Sequence, residues 1–327
     1  MKVRAGFLAI VIGGFVLALA SCGGGGGGAA LNLVPEGDYY SISGMNISQT
    51  FNSPMYKEYI DEVNWAEDRM DDLEKEAKRM GIDIGQYMMV MSFNSTDVKE
   101  NLTFHAGPRD ADDFEDYCEK ILNLSDFEEE EENGVKYYVA ENVETGYLMA
   151  GGGALVGHKD ALEDVIDVMT KGDDKLIDDK NYREHMALVD YSASQFMFQW
   201  DELDTAKTTF KGYIRQVDDD EDLQDAVDDL EAWSIALYWR GNLEVVLKFK
   251  FDDEKPVQEL GEFIEKEMDE FFENLGEAQL RGFFRDEQLD NLGDLDNLAE
   301  KARVNRAGKV LEIRFAVSWE DLKNFLD

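Results

Sequence analysis

Leu243-Glu244-Val245-Val246-Leu247-Lys248-Phe249-Lys250-Phe251 decides the fold class. Leu243, Val245, Leu247, Phe249 and Phe251 alternate with more polar positions, the period of a strand that lays one face on a core. Gly241-Asn242 turns the chain just ahead of it, and Ser234 to Trp239 reads as its antiparallel neighbour. Downstream, Val257, Leu260, Phe263, Ile264, Met268, Phe271 and Leu275 recur at the spacing of a buried helix face. Farther on Leu311, Ile313, Phe315 and Val317 alternate again, and Ser318 caps a last short helix. Upstream, Gln195 to Trp200 is a strand, and Asp204 to Glu231 is largely helical with an acidic interruption at Asp218 to Asp222.

The same order occurs earlier in the chain. Tyr39 to Asn46 reads as a strand, and Ser53 caps a helix with Pro54 in its first turn. That helix carries Tyr56, Tyr59, Ile60, Val63, Ala66, Met70, Leu73, Ala77 and Met80 on one face and ends near Gly81. Strands follow at Gln86 to Asn94 and Asn101 to Ala106, then a helix opened by Asp110 with Phe114, Tyr117, Cys118, Ile121 and Leu122 as its apolar stripe. Asn133-Gly134 and Thr145-Gly146 mark turns between further strands, and Asp160 with Glu163 forms a capping-box pattern for a helix through Met169. Met88 to Leu122 and Ile235 to Met268 match element for element: strand, turn, strand, proline-bearing loop, amphipathic helix. The expectation is an α+β fold of two related modules, 33–175 and 176–327, each an antiparallel sheet covered on one face by helices.

Leu33-Val34-Pro35-Glu36-Gly37-Asp38, then Ser53-Pro54-Met55-Tyr56, and later Ala154-Leu155-Val156-Gly157-His158 before a helix and the loop Lys180 to Met186, carry a resemblance. In these segments the chain resembles uncharacterised bacterial envelope proteins built on a domain of unknown function. The resemblance covers most of the chain beyond its N-terminal segment, implies a duplicated α+β module, and lends no catalytic residue.

Residues 1–21 read as a signal peptide, with Lys2 and Arg4 ahead of the short apolar run Phe7 to Leu19. That run is shorter than the roughly 20 apolar residues a spanning helix needs. Leu19-Ala20-Ser21-Cys22 resembles the lipobox of bacterial lipoproteins, in which cleavage precedes a cysteine that carries acyl chains. Residues 22–32, with the glycine run Gly23 to Gly28, form a flexible tether. The resemblance implies export and a lipid anchor at Cys22. Gly23 stands where inner-membrane retention in some Gram-negative bacteria uses aspartate, so the outer membrane, facing the periplasm or the cell surface, is expected.

Chemistry-bearing residues do not converge in the sequence. The 3 histidines, His105, His158 and His185, lie in separate segments without metal-ligand spacing. His105 alternates outward from Leu102 and Phe104 and is expected to be exposed. Gly151-Gly152-Gly153 lacks the order of a phosphate loop and reads as thin strand positions that admit close helix packing. Of the 2 cysteines Cys22 is committed to lipid, so no disulfide is available, and Cys118 reads as a buried, inert thiol. Glu128 to Glu132 reads as a solvated strand edge or hairpin arm. The Asp218 to Asp222 and Asp290 to Asp296 clusters depart from calcium-loop spacing. The sequons at Asn46, Asn94, Asn101 and Asn123 are incidental in a bacterial lipoprotein. No catalytic residue, metal ligand set or cofactor is expected.

Composition sets the remaining bounds. A hydrophobic content of 44% fits a globular fold, while 72 acidic against 32 basic residues give a net charge of −40. Such a polyanion does not bind nucleic acid through phosphates. The charge is either a solvation adaptation to saline surroundings or a cation-binding surface. The expected function is therefore a non-enzymatic envelope lipoprotein that binds a protein or ligand, with a divalent-cation-binding acidic protein or a carboxylate-based hydrolase as alternatives. Either origin of the charge makes salt stabilising, because counterions screen self-repulsion. Thermal scans should show the melting midpoint rise between about 0.01 M and 1 M salt, the range over which the screening length falls from about 30 to 3 Å. An unchanged midpoint would contradict both origins.

Overall fold

A computed structural model describes residues 30–62, 89–107, 111–141, 143–172, 174–217, 220–267 and 302–318. The chain divides into two compact units, Ala20–Phe196 and Met197–Asp327. The division falls within a strand and not at 175/176, because the connector packs back on the first unit: the Leu176 N–H donates to Val34 O (3.0 Å) and the Asn46 N–H to Ser194 O (2.6 Å). Leu176, Tyr182, Leu188 and Ala193 are all buried.

The first unit contains β1 (Tyr39–Met45), α1 (Ile47–Asn52), α2 (Pro54–Glu62), β2 (Met89–Ser95), β3 (Leu102–Ala106), α3 (Ala111–Tyr117) with a π-helical turn (Cys118–Leu122), β4 (Phe127–Glu132), β5 (Val135–Ala140), β6 (Thr145–Ala150), β7 (Gly153–His158), α4 (Lys159–Lys171) and α5 (Lys180–His185). Its strands lie in the order β1-β2-β3-β7-β6-β5-β4, every neighbouring pair antiparallel. Ser53 caps α2 as its sequence indicates, its Oγ accepting from the Tyr56 N–H at 3.0 Å. The stretch from β4 to β7 is two hairpins. Asn133-Gly134 makes the first turn with φ of 52° and 81°, and Gly151-Gly152 the second with 62° and 81°, the left-handed pair of a two-residue hairpin turn. Thr145-Gly146 is not a turn: both lie inside β6, where a Cβ on Gly146 would overlap the carbonyl of Tyr138.

Register fixes the two faces of this sheet. Leu102 pairs with Gly157 and Phe104 with Leu155, and Leu148 lies across from Leu155, so these side chains share one face. Gly157 lets α4 approach that face, since a side chain there would meet Leu102 and Ala161. His105, Ala154, Val156 and Tyr147 share the other face, and α3 lies against it. Helices therefore pack on both faces of this sheet, which departs from the one-sided cover expected from the sequence. The cause is β7, an inner strand whose residues are apolar in both directions.

The second unit contains the end of β8 (Gln195–Gln199), α6 (Asp204–Val217), α7 (Glu221–Ala226), β9 (Leu230–Trp239), β10 (Leu243–Phe251), α8 (Glu254–Lys266), β11 (Arg303–Ala307) and β12 (Val310–Val317), with strand order β8-β9-β10-β12-β11. The alternation in β10 is realised: Val245, Leu247 and Phe249 pair with Leu237, Ile235 and Trp233 on one side and with Phe315, Ile313 and Leu311 on the other. Phe210 and Ile214 of α6 and Val257, Leu260, Phe263 and Ile264 of α8 close over that face. Each such side chain contributes about 1.5–3 kcal/mol on burial. Asp253 caps α8 by accepting from the Glu254 and Lys255 N–H groups. The Met268, Phe271 and Leu275 portion of the expected helix, residues 63–88 and the helix after Ser318 lie outside the described residues.

Two connections are alike. In each unit a strand leads through helices to a hairpin, β2-β3 or β9-β10, and a helix follows. A later hairpin, β6-β7 or β11-β12, then returns its second strand to pair with β3 or β10. The hairpin β4-β5 has no counterpart among the described residues of the second unit.

The joint between β3 and β7 depends on Gly153, where a Cβ would overlap the carbonyl oxygen of His105 and stand 2.9 Å from Ala106 Cα. This replaces the helix-packing role expected of the glycine run. Gly153→Ala should cost about 1–3 kcal/mol in urea unfolding, as overpacking does. Gly241→Ala, with nothing within 4 Å of the added methyl, should stay within about 0.5 kcal/mol of wild type.

Candidate functional site

The reactive side chains of the first unit gather on the face that α3 covers. His105 is 4% exposed, contrary to the outward histidine expected from strand alternation. Its ring lies 5.5 Å from Phe114 and 5.4 Å from Tyr117, so the outward direction of β3 leads into an aromatic layer and not into water. Tyr147 continues that layer, 5.2 Å from Phe114, 5.1 Å from Phe127 and stacked on Tyr138 at 4.9 Å. Its hydroxyl donates to Ala111 O at 3.3 Å and ties β6 to the start of α3. The helix then widens into the π turn, a device that often marks functional positions. Asn123 closes the turn in the left-handed region at φ 56°, its N–H donating to Cys118 O.

Burial silences the groups that could do chemistry here. The imidazole of His105 is pushed down to about 3 by desolvation, and its Nδ1 has no hydrogen-bond partner. The Cys118 thiol is fully buried and pushed up to about 12 by burial, with the Glu115 carboxylate adding to the shift. At neutral pH the pair therefore comprises an uncharged ring and a protonated thiol, neither a base nor a nucleophile. Burial likewise raises the Tyr147 phenol. Aromatic area and one unsatisfied ring nitrogen are what this face offers.

Two polar joints border α4. His158 ends β7 and caps α4, its Nδ1 accepting from the Asp160 N–H at 3.2 Å while its Nε2 lies 3.4 Å from Glu144. The cap thus sits two residues ahead of the one suggested by the Asp160 and Glu163 pattern, because β7 runs straight into the helix and the Lys159 N–H donates to Glu144 O. At the second joint the buried Tyr137 hydroxyl lies 2.9 Å from Glu130 and 2.8 Å from Glu163, and Lys159 donates to Glu130 at 2.5 Å. The Lys159 hydrogen bond holds the Glu130 carboxyl below its ordinary range.

The remaining candidates are dispersed. Cys22 and the cleavage residues Leu19, Ala20 and Ser21 lie outside the described residues, as do Asp218 and the cluster from Asp290 to Asp296. His105 sits in β3, His158 at the head of α4 and His185 at the end of α5. Glu128 to Glu132 form most of β4, an outer hairpin strand, and Asp220 caps α7. Among the described residues no group of three histidine, cysteine or acidic side chains is placed to hold a metal ion. No described helix is long and apolar enough to cross a membrane.

The burial of His105 sets a pH dependence. Below its ordinary value of 6.5 the unfolded chain takes up a proton that the folded chain refuses down to about 3. The residue therefore lowers stability as pH falls through that window and has no such effect above it. His105→Phe should flatten the acid limb by up to about 1.4 kcal/mol per pH unit between about pH 6 and 4. Urea unfolding of both proteins at several pH values measures this, and parallel curves would refute it.

No family model matches the chain, and no curated protein matches it. Among solved structures, crystal form III of TP0453 covers 89% of this chain and 95% of its own at 14% identity and a TM-score of 0.43. Crystal form I covers 90% and 95% at 13% identity with the same TM-score. A likeness that slight carries no argument about what the protein does.

Proposed function

We propose that the protein is a bacterial envelope lipoprotein, exported by residues 1–21, acylated at Cys22, and engaged in binding a protein or ligand without catalysis. The observation that carries the reading is the contrast between its two cysteines. Cys118 is buried and held protonated, which leaves Cys22, in its lipobox and ahead of a glycine leash, as the thiol open to acylation. Two or more acyl chains hold a protein stably at a bilayer. The outer membrane is the proposed address, from Gly23 beside the cysteine. The two units arose by internal duplication, a reading supported by their matching connections, with the β4-β5 hairpin as a later insertion.

Labelled fatty acid supplied to cells making the full chain should enter the wild-type protein and not Cys22→Ser, and the variant should leave the membrane fraction. Label absent from the wild type, or equal in both, would overturn the anchor. A pull-down from native envelopes with the anchor intact then identifies the bound component. A turnover activity of the purified chain that one point substitution abolishes would overturn the binding role.

A further inference from the structure

Each unit ends its strand order on a charged strand, and the two charges are opposite. In the first unit β4 stands last and reads Phe127-Glu128-Glu129-Glu130-Glu131-Glu132. In the second unit β11 stands last and reads Arg303-Val304-Asn305-Arg306-Ala307, with Lys309 in the turn that follows. Among the described residues each has a strand neighbour on one side only, so each presents a row of backbone donors and acceptors on the other.

Part of each charge row is already used. Lys136 holds Glu129, Lys159 and Tyr137 hold Glu130, and Arg306 is turned to Glu262 and Glu265 of α8. Glu128, Glu131 and Glu132 are exposed and make no ion pair among the described residues. Arg303 is exposed and donates to the carbonyl of Ala302 at 3.1 Å, meeting no carboxylate among the described residues in a chain with 72 acidic side chains. Asn305 and Ala307, on the same face of β11, are exposed as well.

We infer that β4 of one copy of this chain docks along β11 of another, extending the sheet across the contact. Single-sign charge on an edge strand blocks pairing with its own kind. Two β4 strands would bring rows of carboxylates together and two β11 strands would oppose arginines, whereas β4 against β11 places unlike charges across the ladder. The strands are matched in length at 6 and 5 residues. Such a contact is heterologous, since different patches meet, and it leaves one β4 and one β11 unused on every dimer. Growth therefore continues head to tail. The general repulsion of two chains at −40 is screened beyond about 8 Å at physiological ionic strength, while the edge charges lie in contact.

Sedimentation velocity of the full chain in detergent tests this at about 0.15 M salt, where that screening applies. The wild type should form dimers and larger species as concentration rises. Glu128→Lys/Glu131→Lys/Glu132→Lys and, separately, Arg303→Glu/Asn305→Glu should each weaken association about tenfold or more, as expected for losing the attraction to Arg303 and gaining several like-charge contacts. Both sets of changes in one chain exchange the two charges and should restore association, which separates lost docking from lost folding. Mixing the two single-edge variants should also restore it. A monomeric wild type, association indifferent to the reversals, or no recovery in the exchanged chain would each overturn the inference. Association lost only on reversing β4 would overturn it in favour of a different basic segment of the same chain.

Discussion

The pairing of β3 with β7 brings together strands that are distant in sequence, and the rest of the first unit is hung on it. Leu102 to Ala106 meet Gly157 to Gly153 in register, and only then do β6, β5 and β4 have a place to add. The contact is close because two of the facing residues lack a Cβ. Gly153 lets the backbones meet at His105 and Ala106, and Gly157 makes room for Leu102 below α4. Long-range pairing of this kind must meet the entropy of closing the intervening chain before any burial compensates it. The second unit meets the same demand through β10 and β12, where side chains do the work: Val245, Leu247 and Phe249 each face an apolar partner across the joint.

Electrostatics divides the molecule by depth. Outside, carboxylates stand in solvent or in ion pairs such as Lys180 with Glu184 and Lys255 with Glu259, which are worth little singly. Inside, the titratable groups are kept uncharged: the His105 ring, the Cys118 thiol and the Tyr147 phenol all shift in the direction that burial dictates. These three groups are therefore not poised near neutral pH, where acid-base work is done.

The strands that alternate cleanly were the ones their residues declared. β10 and β12 carry one apolar face, and their spans and inward residues follow from period alone. The Ser53 cap and the Asn133-Gly134 turn were equally legible because their chemistry is local. What could not be read was decided by neighbours distant in sequence. His105 alternates outward, but whether outward means water depends on where α3 settles. Gly151 to Gly153 combine a turn with a close strand approach, and composition does not separate these from a helix contact. α1 went unseen because Asn46 caps a helix too short to show a periodic face, and β11 because Arg303, Asn305 and Arg306 leave it little apolar pattern. Of the candidate site, the inert Cys118 was visible as part of a helix stripe, whereas the aromatic layer over His105 required the register of four strands.

His158 stands between a helix and a loop. Its Nδ1 accepts from the Asp160 N–H and lies 3.4 Å from the Asp160 carboxylate as well. Nε2, at the far side of the ring, stands 3.4 Å from the Glu144 carboxylate in the loop before β6. The ring thus touches the backbone of α4 through one nitrogen and the loop through the other, next to the direct bond from the Lys159 N–H to Glu144 O. An asparagine in its place could imitate the cap but lacks the reach to Glu144, so helix and loop would then be joined by that backbone bond without the ring between them.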